Sequence, residues 1–161
     1  MVGPPRHRSR QHDHRRYLRG ALDLIAGAIT DIAGSSNVFD RGFVTYSNEA
    51  KQDMLGVTEK TLAKYGAVSA QTASEMVLGA RRRSRASFAV SVTGVAGPGG
   101  GTPQKPVGLV WIGLTGPGDL TNVVELRFSP EWSRDMIRAA TVRAALEGLL
   151  SRLGFADQAE A

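Results

Sequence analysis

Lys51 and Tyr46 are the first residues in this chain whose types and spacing could do chemistry. The chain has 16 Arg but only four Lys, at positions 51, 60, 64 and 105. A lysine amine whose pKa is lowered by burial can act as a base or nucleophile, which a guanidinium cannot do. Tyr46 lies five residues before Lys51 and supplies a hydroxyl that could hold or pass a proton. On residue type alone, the ordinary surface and boundary reading is the stronger one for both. The second feature is the run Thr93-Gly94-Val95-Ala96-Gly97-Pro98-Gly99-Gly100-Gly101, directly after a β-rich stretch. Successive unobstructed backbone amides in such a loop form a nest for an anion such as a phosphate. No Gly-Lys-Ser/Thr closes it as in a Walker loop, and Pro98 and Pro103 prevent the helix that a dinucleotide fingerprint requires. A flexible glycine-rich hairpin is the competing reading.

Other chemistries are excluded by composition. With no Cys, there is neither a disulfide framework nor a thiolate ligand or nucleophile, and a reducing, cytoplasmic setting fits. The histidines are His7, His12 and His14, so the body of the chain has no imidazole for a Ser-His-Asp triad or a metal site. Residues 1–20 hold Arg6, Arg8, Arg10, Arg15, Arg16 and Arg19 against Asp13, whereas the remaining residues balance at 14 basic and 14 acidic side chains. The net charge of +5 therefore comes from a leading arm rather than from a folded face, and a nucleic-acid partner is not expected. No apolar run reaches the roughly 18 residues of a membrane span.

Length and pattern indicate what must position these residues. At 161 residues and 42% hydrophobic content the chain makes one domain with a real core. Apolar spacing predicts a helix over Ala21–Ile32, and Asn48–Leu55 reads as a short helical turn. Thr58, Ser69 and Ser133 are placed to cap three further helices, the last running to about Leu153. Phe88–Thr93 and Val107–Leu114 read as buried strands, Asn122–Phe128 as an edge strand, and a further short strand is expected around Gly42–Tyr46. The arginines at 81, 82, 83 and 85 read as a solvated helix C-terminus in preference to a phosphate patch. The fold class is α/β with a mixed sheet, in which the last hairpin is antiparallel.

Several motifs occur in an order that identifies a family. Tyr46-Ser47-Asn48-Glu49-Ala50-Lys51, Leu55-Gly56-Val57, Gly66-Ala67-Val68-Ser69 and above all Ser91 through Gly108 resemble the C-terminal domain of the competence/damage-inducible protein CinA, from about Leu24 to about Leu153. The resemblance implies a three-layer α/β/α single domain, usually a homo-oligomer in the cytoplasm. The implied activity belongs to the pyridine nucleotide cycle: nicotinamide mononucleotide is hydrolysed at its carboxamide to nicotinate mononucleotide and ammonia. The family uses a Ser nucleophile, a Lys base and an assisting Tyr, with no metal and no cofactor. Lys51 and Tyr46 match the Lys and the Tyr. Thr93, Gly94, Ala96, Gly97, Gly99 and Gly100 match the substrate loop, with Lys105 behind it. Arg134 and Arg138 match a basic pair suited to the phosphate.

The resemblance also exposes a departure. The family's nucleophile lies in a Glu-Ser-Cys-Thr-Gly-Gly segment ahead of the helix that here reads Leu24-Ile25-Ala26-Gly27, where this chain has Arg15-Arg16-Tyr17-Leu18-Arg19-Gly20. Ser35, Ser36 and Ser47 match other family positions. The expected organisation is a disordered basic arm over 1–20, for which a shifted reading frame is one origin, a domain over 21–155 and a tail over 156–161. Two functions follow as expectations: an amidohydrolase impaired by the lost Ser, or an inactive nucleotide-binding or interaction module.

Overall fold

The computed structural model describes residues 21–154, the side chain of Leu22 excepted, so the expected arm, its histidines and the tail lie outside the described residues. Its helices are α1 (Ala21–Thr30), α2 (Asn48–Leu55), α3 (Glu59–Tyr65), α4 (Ala70–Arg82) and α5 (Arg134–Arg152). Its strands are β1 (Ala89–Gly94), β2 (Leu109–Thr115) and β3 (Thr121–Arg127). Local chemistry sets the helix starts. The Ser47, Thr58, Ser69 and Ser133 hydroxyls accept from the amides of Ala50, Thr61, Thr72 and Met136, each satisfying a donor that the first helical turn leaves open.

The strands lie in the order β1-β2-β3, with both ladders antiparallel and Thr93 opposite Trp111. Alternation along the strands divides the side chains between two faces. Val90, Val92, Val110, Ile112, Leu114 and Leu126 pack with Ile25 of α1 and Ile137 and Ala145 of α5. On the other face the Ser91 and Thr93 hydroxyls donate to the carbonyls of Ala73 and Ala67, both at 2.7 Å, which ties the sheet to α4 and the loop before it. The three-layer arrangement follows directly.

A second cluster of Leu55, Val57, Leu62 and Met76, with Phe43, joins α2, α3 and α4. Gly79 permits this junction: a Cβ there would lie 1.9 Å from the Leu55 carbonyl oxygen. Any side chain would drive α2 away from α4.

Two expectations are corrected. Among the described residues the sheet is antiparallel throughout, and residues 39–46 form no ladder, so the stretch expected as a strand around Gly42–Tyr46 is irregular chain without a strand partner. The arginine cluster, as expected, is a helix end. Arg81 donates to the Ser87 carbonyl at 3.2 Å and pairs with Asp119, and Arg83 donates to the Leu55 carbonyl at 3.0 Å. Asp40 accepts the Arg85 amide, which with the Arg41 and Arg85 side chains lowers its pKa to about 2 against the opposing effect of burial.

Candidate active site

Lys51 sits near the start of α2, where a side chain leans back toward the helix N-terminus. Its amine therefore meets the chain that leads into its own helix. Nζ donates to the carbonyls of Thr45 at 2.8 Å, Tyr46 at 3.3 Å and Ser47 at 3.4 Å. Lys51 is 6% exposed and Thr45 8%. Burial pushes the amine below its ordinary pKa, because a desolvated ammonium is disfavoured. An ammonium can serve all three carbonyls, whereas a neutral amine has two N–H bonds and a lone pair. Giving up one of the two longer contacts frees that lone pair to accept a proton.

Tyr46 is placed differently from the reading of the sequence. Its side chain is 88% exposed, and it is its carbonyl, not its hydroxyl, that faces Lys51. None of the hydroxyls of the described residues is among the amine's partners.

The glycine loop is closed at its base and open at its tip. The Val95 amide donates to the Leu109 carbonyl at 2.9 Å and the Gly108 amide to the Val95 carbonyl at 2.8 Å. Thr102 and Lys105 bond each other through their main chains. Between these ties the amides of Ala96, Gly97, Gly99, Gly100 and Gly101 give no hydrogen bond among the described residues. A run of unclaimed donors is what an anion nest or an oxyanion hole needs. Gly97 has a φ of +72°, and a Cβ there would meet Val107 at 2.7 Å, whereas Gly99 and Gly100 face open space. Ala96 packs on the core, and Gly94 ends β1.

The other expected substrate residues are already engaged, each with a different partner. The Thr93 hydroxyl is held by Ala67, and the Lys105 amine donates to the Tyr65 carbonyl. Arg134 donates from Nη1 to the Gly97 carbonyl at 3.0 Å, which fixes the loop to the start of α5. Arg138 is 8% exposed and pairs with Asp135 at 3.0 Å. The structure thus brings Thr93, Gly97, Lys105 and Arg134 into one hydrogen-bonded frame around the loop. Lys51 belongs to a separate group with residues 45–47, and no hydrogen bond among the described residues joins the two. Sequence reasoning missed the acceptors: the Thr45, Tyr65 and Ala67 carbonyls leave no trace in residue type, although Gly66-Ala67-Val68-Ser69 stood out as a motif.

A family model described as the CinA C-terminal domain matches residues 23–153. The chain belongs to the CinA C-terminal domain family. This domain is 54% identical over 117 residues to nicotinamide-nucleotide amidohydrolase PncC of Enterobacter agglomerans, an alignment covering 73% of this chain and 71% of that one. A longer relative from Caldicellulosiruptor saccharolyticus is 51% identical over 126 residues, which cover 78% of this chain and only 30% of the relative. Among solved structures, the competence/damage-inducible protein CihA from Agrobacterium tumefaciens superposes with a TM-score of 0.79 at 56% identity, covering 81% of this chain and 79% of that one. No described helix of this CinA-family domain is long and apolar enough to cross a membrane, and among the described residues no cluster of His, Cys, Asp or Glu could hold a metal ion.

Proposed function

We propose that this CinA-family domain binds a pyridine mononucleotide in the cytoplasm and hydrolyses its carboxamide, with Lys51 as general base. The single observation that carries the reading is the Lys51 amine, buried and held at a lowered pKa by its surroundings. Amide hydrolysis needs a group that takes the proton of the attacking oxygen and returns one to the departing nitrogen, which leaves as ammonia. It also needs donors for the oxygen that becomes anionic, and the unclaimed amides of the glycine loop are suited to that role. Similarity to a protein named for nicotinamide-nucleotide amidohydrolysis supports the choice of substrate class.

One observation tempers the rate rather than the ligand. The Lys51 amine meets carbonyls, and among the described residues no serine hydroxyl is bonded to it for activation. Losing one member of a catalytic unit removes most of the rate, by several powers of ten. We therefore read the domain as binding the mononucleotide and turning it over slowly. An inactive binding module is the second reading, favoured by the same observation. Calorimetric titration with nicotinamide mononucleotide, run beside an ammonia-release assay, tests both. Binding with slow release supports the first reading, binding without release supports the second, and no binding defeats both.

The expected homo-oligomer is retained in the proposal. Ile32, Val38, Val44 and Tyr46 leave 48% to 88% of their surfaces exposed in one stretch of chain, apolar surface available to a second copy. Light scattering on the eluting protein reads the mass directly, and a monomer at all concentrations removes this part.

A further inference from the structure

Every residue of the central strand β2 is buried except Trp111, which is half-buried. Trp111 lines a cavity of about 290 Å³ together with Gln71 of α4, Gln104 and Lys105 of the chain after the glycines, and Arg127 at the end of β3. That volume lies at the small end of the range for ligand pockets and suits a mononucleotide rather than a dinucleotide. We infer that this pocket, behind the glycine loop, is a second ligand site that takes an adenine mononucleotide. The base stacks on Trp111, Gln71 reads its edge and Arg127 meets its phosphate.

The chemistry of the lining selects that ligand. Among the described residues, the Trp111 indole N–H and the side-chain amides of Gln71 and Gln104 make no hydrogen bond. The wall beside them is already satisfied, with the Lys105 amine held by the Tyr65 carbonyl and the Ser69 hydroxyl by the Gly66 carbonyl. An indole face is a platform for a planar heterocycle, and a purine covers more of it than a single ring does. A glutamine amide sets a donor beside an acceptor, the complement of adenine's amino group and neighbouring ring nitrogen. Arg127 shares its guanidinium with Glu125 at an exposed position, which leaves donors for a phosphate. No carboxylate is among the described residues that line the cavity. The pocket also shares chain with the glycine loop, because Gln104 and Lys105 follow it and Lys105 bonds Thr102 through the main chain at 2.9 and 3.1 Å. A nucleotide resting there presses on the loop from behind, so binding in the pocket and binding at the loop should affect each other reciprocally.

The test reads the indole itself. The full chain has two tryptophans, and Trp132→Phe keeps an aromatic ring for the stack with Phe128 while leaving Trp111 as the sole indole. In that protein, adenosine monophosphate should quench Trp111 emission to saturation. Inosine monophosphate, with a carbonyl in place of the amino group, should bind about tenfold more weakly. Gln71→Ala, at an exposed position on α4, should bring the two purines to equal affinity. Arg127→Gln should weaken adenosine monophosphate about tenfold and leave adenosine unchanged. Absence of saturable quenching, equal affinity for the two purines before any change at Gln71, or an adenine preference that survives Gln71→Ala would each overturn the inference. Strict competition between nicotinamide mononucleotide and adenosine monophosphate would overturn it as well, because the pocket would then be the first ligand's own. If nicotinamide mononucleotide binds nowhere while adenosine monophosphate quenches as described, the functional reading fails and the second site stands.

Discussion

The Lys51 amine donates to the Thr45 carbonyl at 2.8 Å, so a buried cation is held by a segment of chain that belongs to no ladder among the described residues. Each explains the other. This segment has carbonyls to offer because no described strand claims them, and the amine is tolerated in the interior because those carbonyls receive it.

That relationship fixes a pH dependence. Burial lowers the folded pKa of Lys51 below the 10.5 of a free side chain, so between those two values the folded chain binds fewer protons than the unfolded one. Stability therefore rises with pH across that window and is flat with respect to this group below it. Urea unfolding of the intact chain from pH 7 to pH 10 should show the rise, and Lys51→Met should abolish it. The same slope in both proteins would assign it to other groups.

Gly79 and Gly27 predict opposite signs for the same substitution. Gly79→Ala drives a methyl group into the Leu55 carbonyl at 1.9 Å and should cost about 2 kcal/mol or more. Gly27 sits inside α1 with nothing within 4 Å of the place a methyl would take, so Gly27→Ala should stabilise by about 0.5–1 kcal/mol. Thermal or urea unfolding of the two variants settles the pair. A neutral Gly79→Ala would mean that α2 is not seated against α4.

Arg134 should govern the order of the glycine loop. Removing its bond to the Gly97 carbonyl through Arg134→Met releases the loop from α5. Amide hydrogen exchange at Val95 and Gly108, the bonded amides at the base of the loop, is expected to quicken by about tenfold, while exchange in the middle of β2 stays as it was. Unchanged exchange in the loop would show that the closure at Val95 and Gly108 suffices.

Much of this was legible in the sequence where the cause is local. The caps at Thr58, Ser69 and Ser133 mark helix starts because the bond they make spans three residues of the same chain. The strand expected at Gly42–Tyr46 was not legible in the same way, since a strand requires a partner that residue type does not name. The scarcity of lysine singled out Lys51, but the direction of the Tyr46 ring is set by packing, not by a spacing of five. Arg134 and Arg138 look alike as an i, i+4 pair. Only the fold separates them, one gripping Gly97 and the other buried with an unpaired Nε.

Ammonia released from nicotinamide mononucleotide by the unaltered chain and by Lys51→Arg tests the role of the amine most directly, because arginine keeps the charge but cannot give up its proton. Slow release from the unaltered chain and none from Lys51→Arg is expected. Equal release from both, or none from the unaltered chain, would contradict a proton-accepting Lys51.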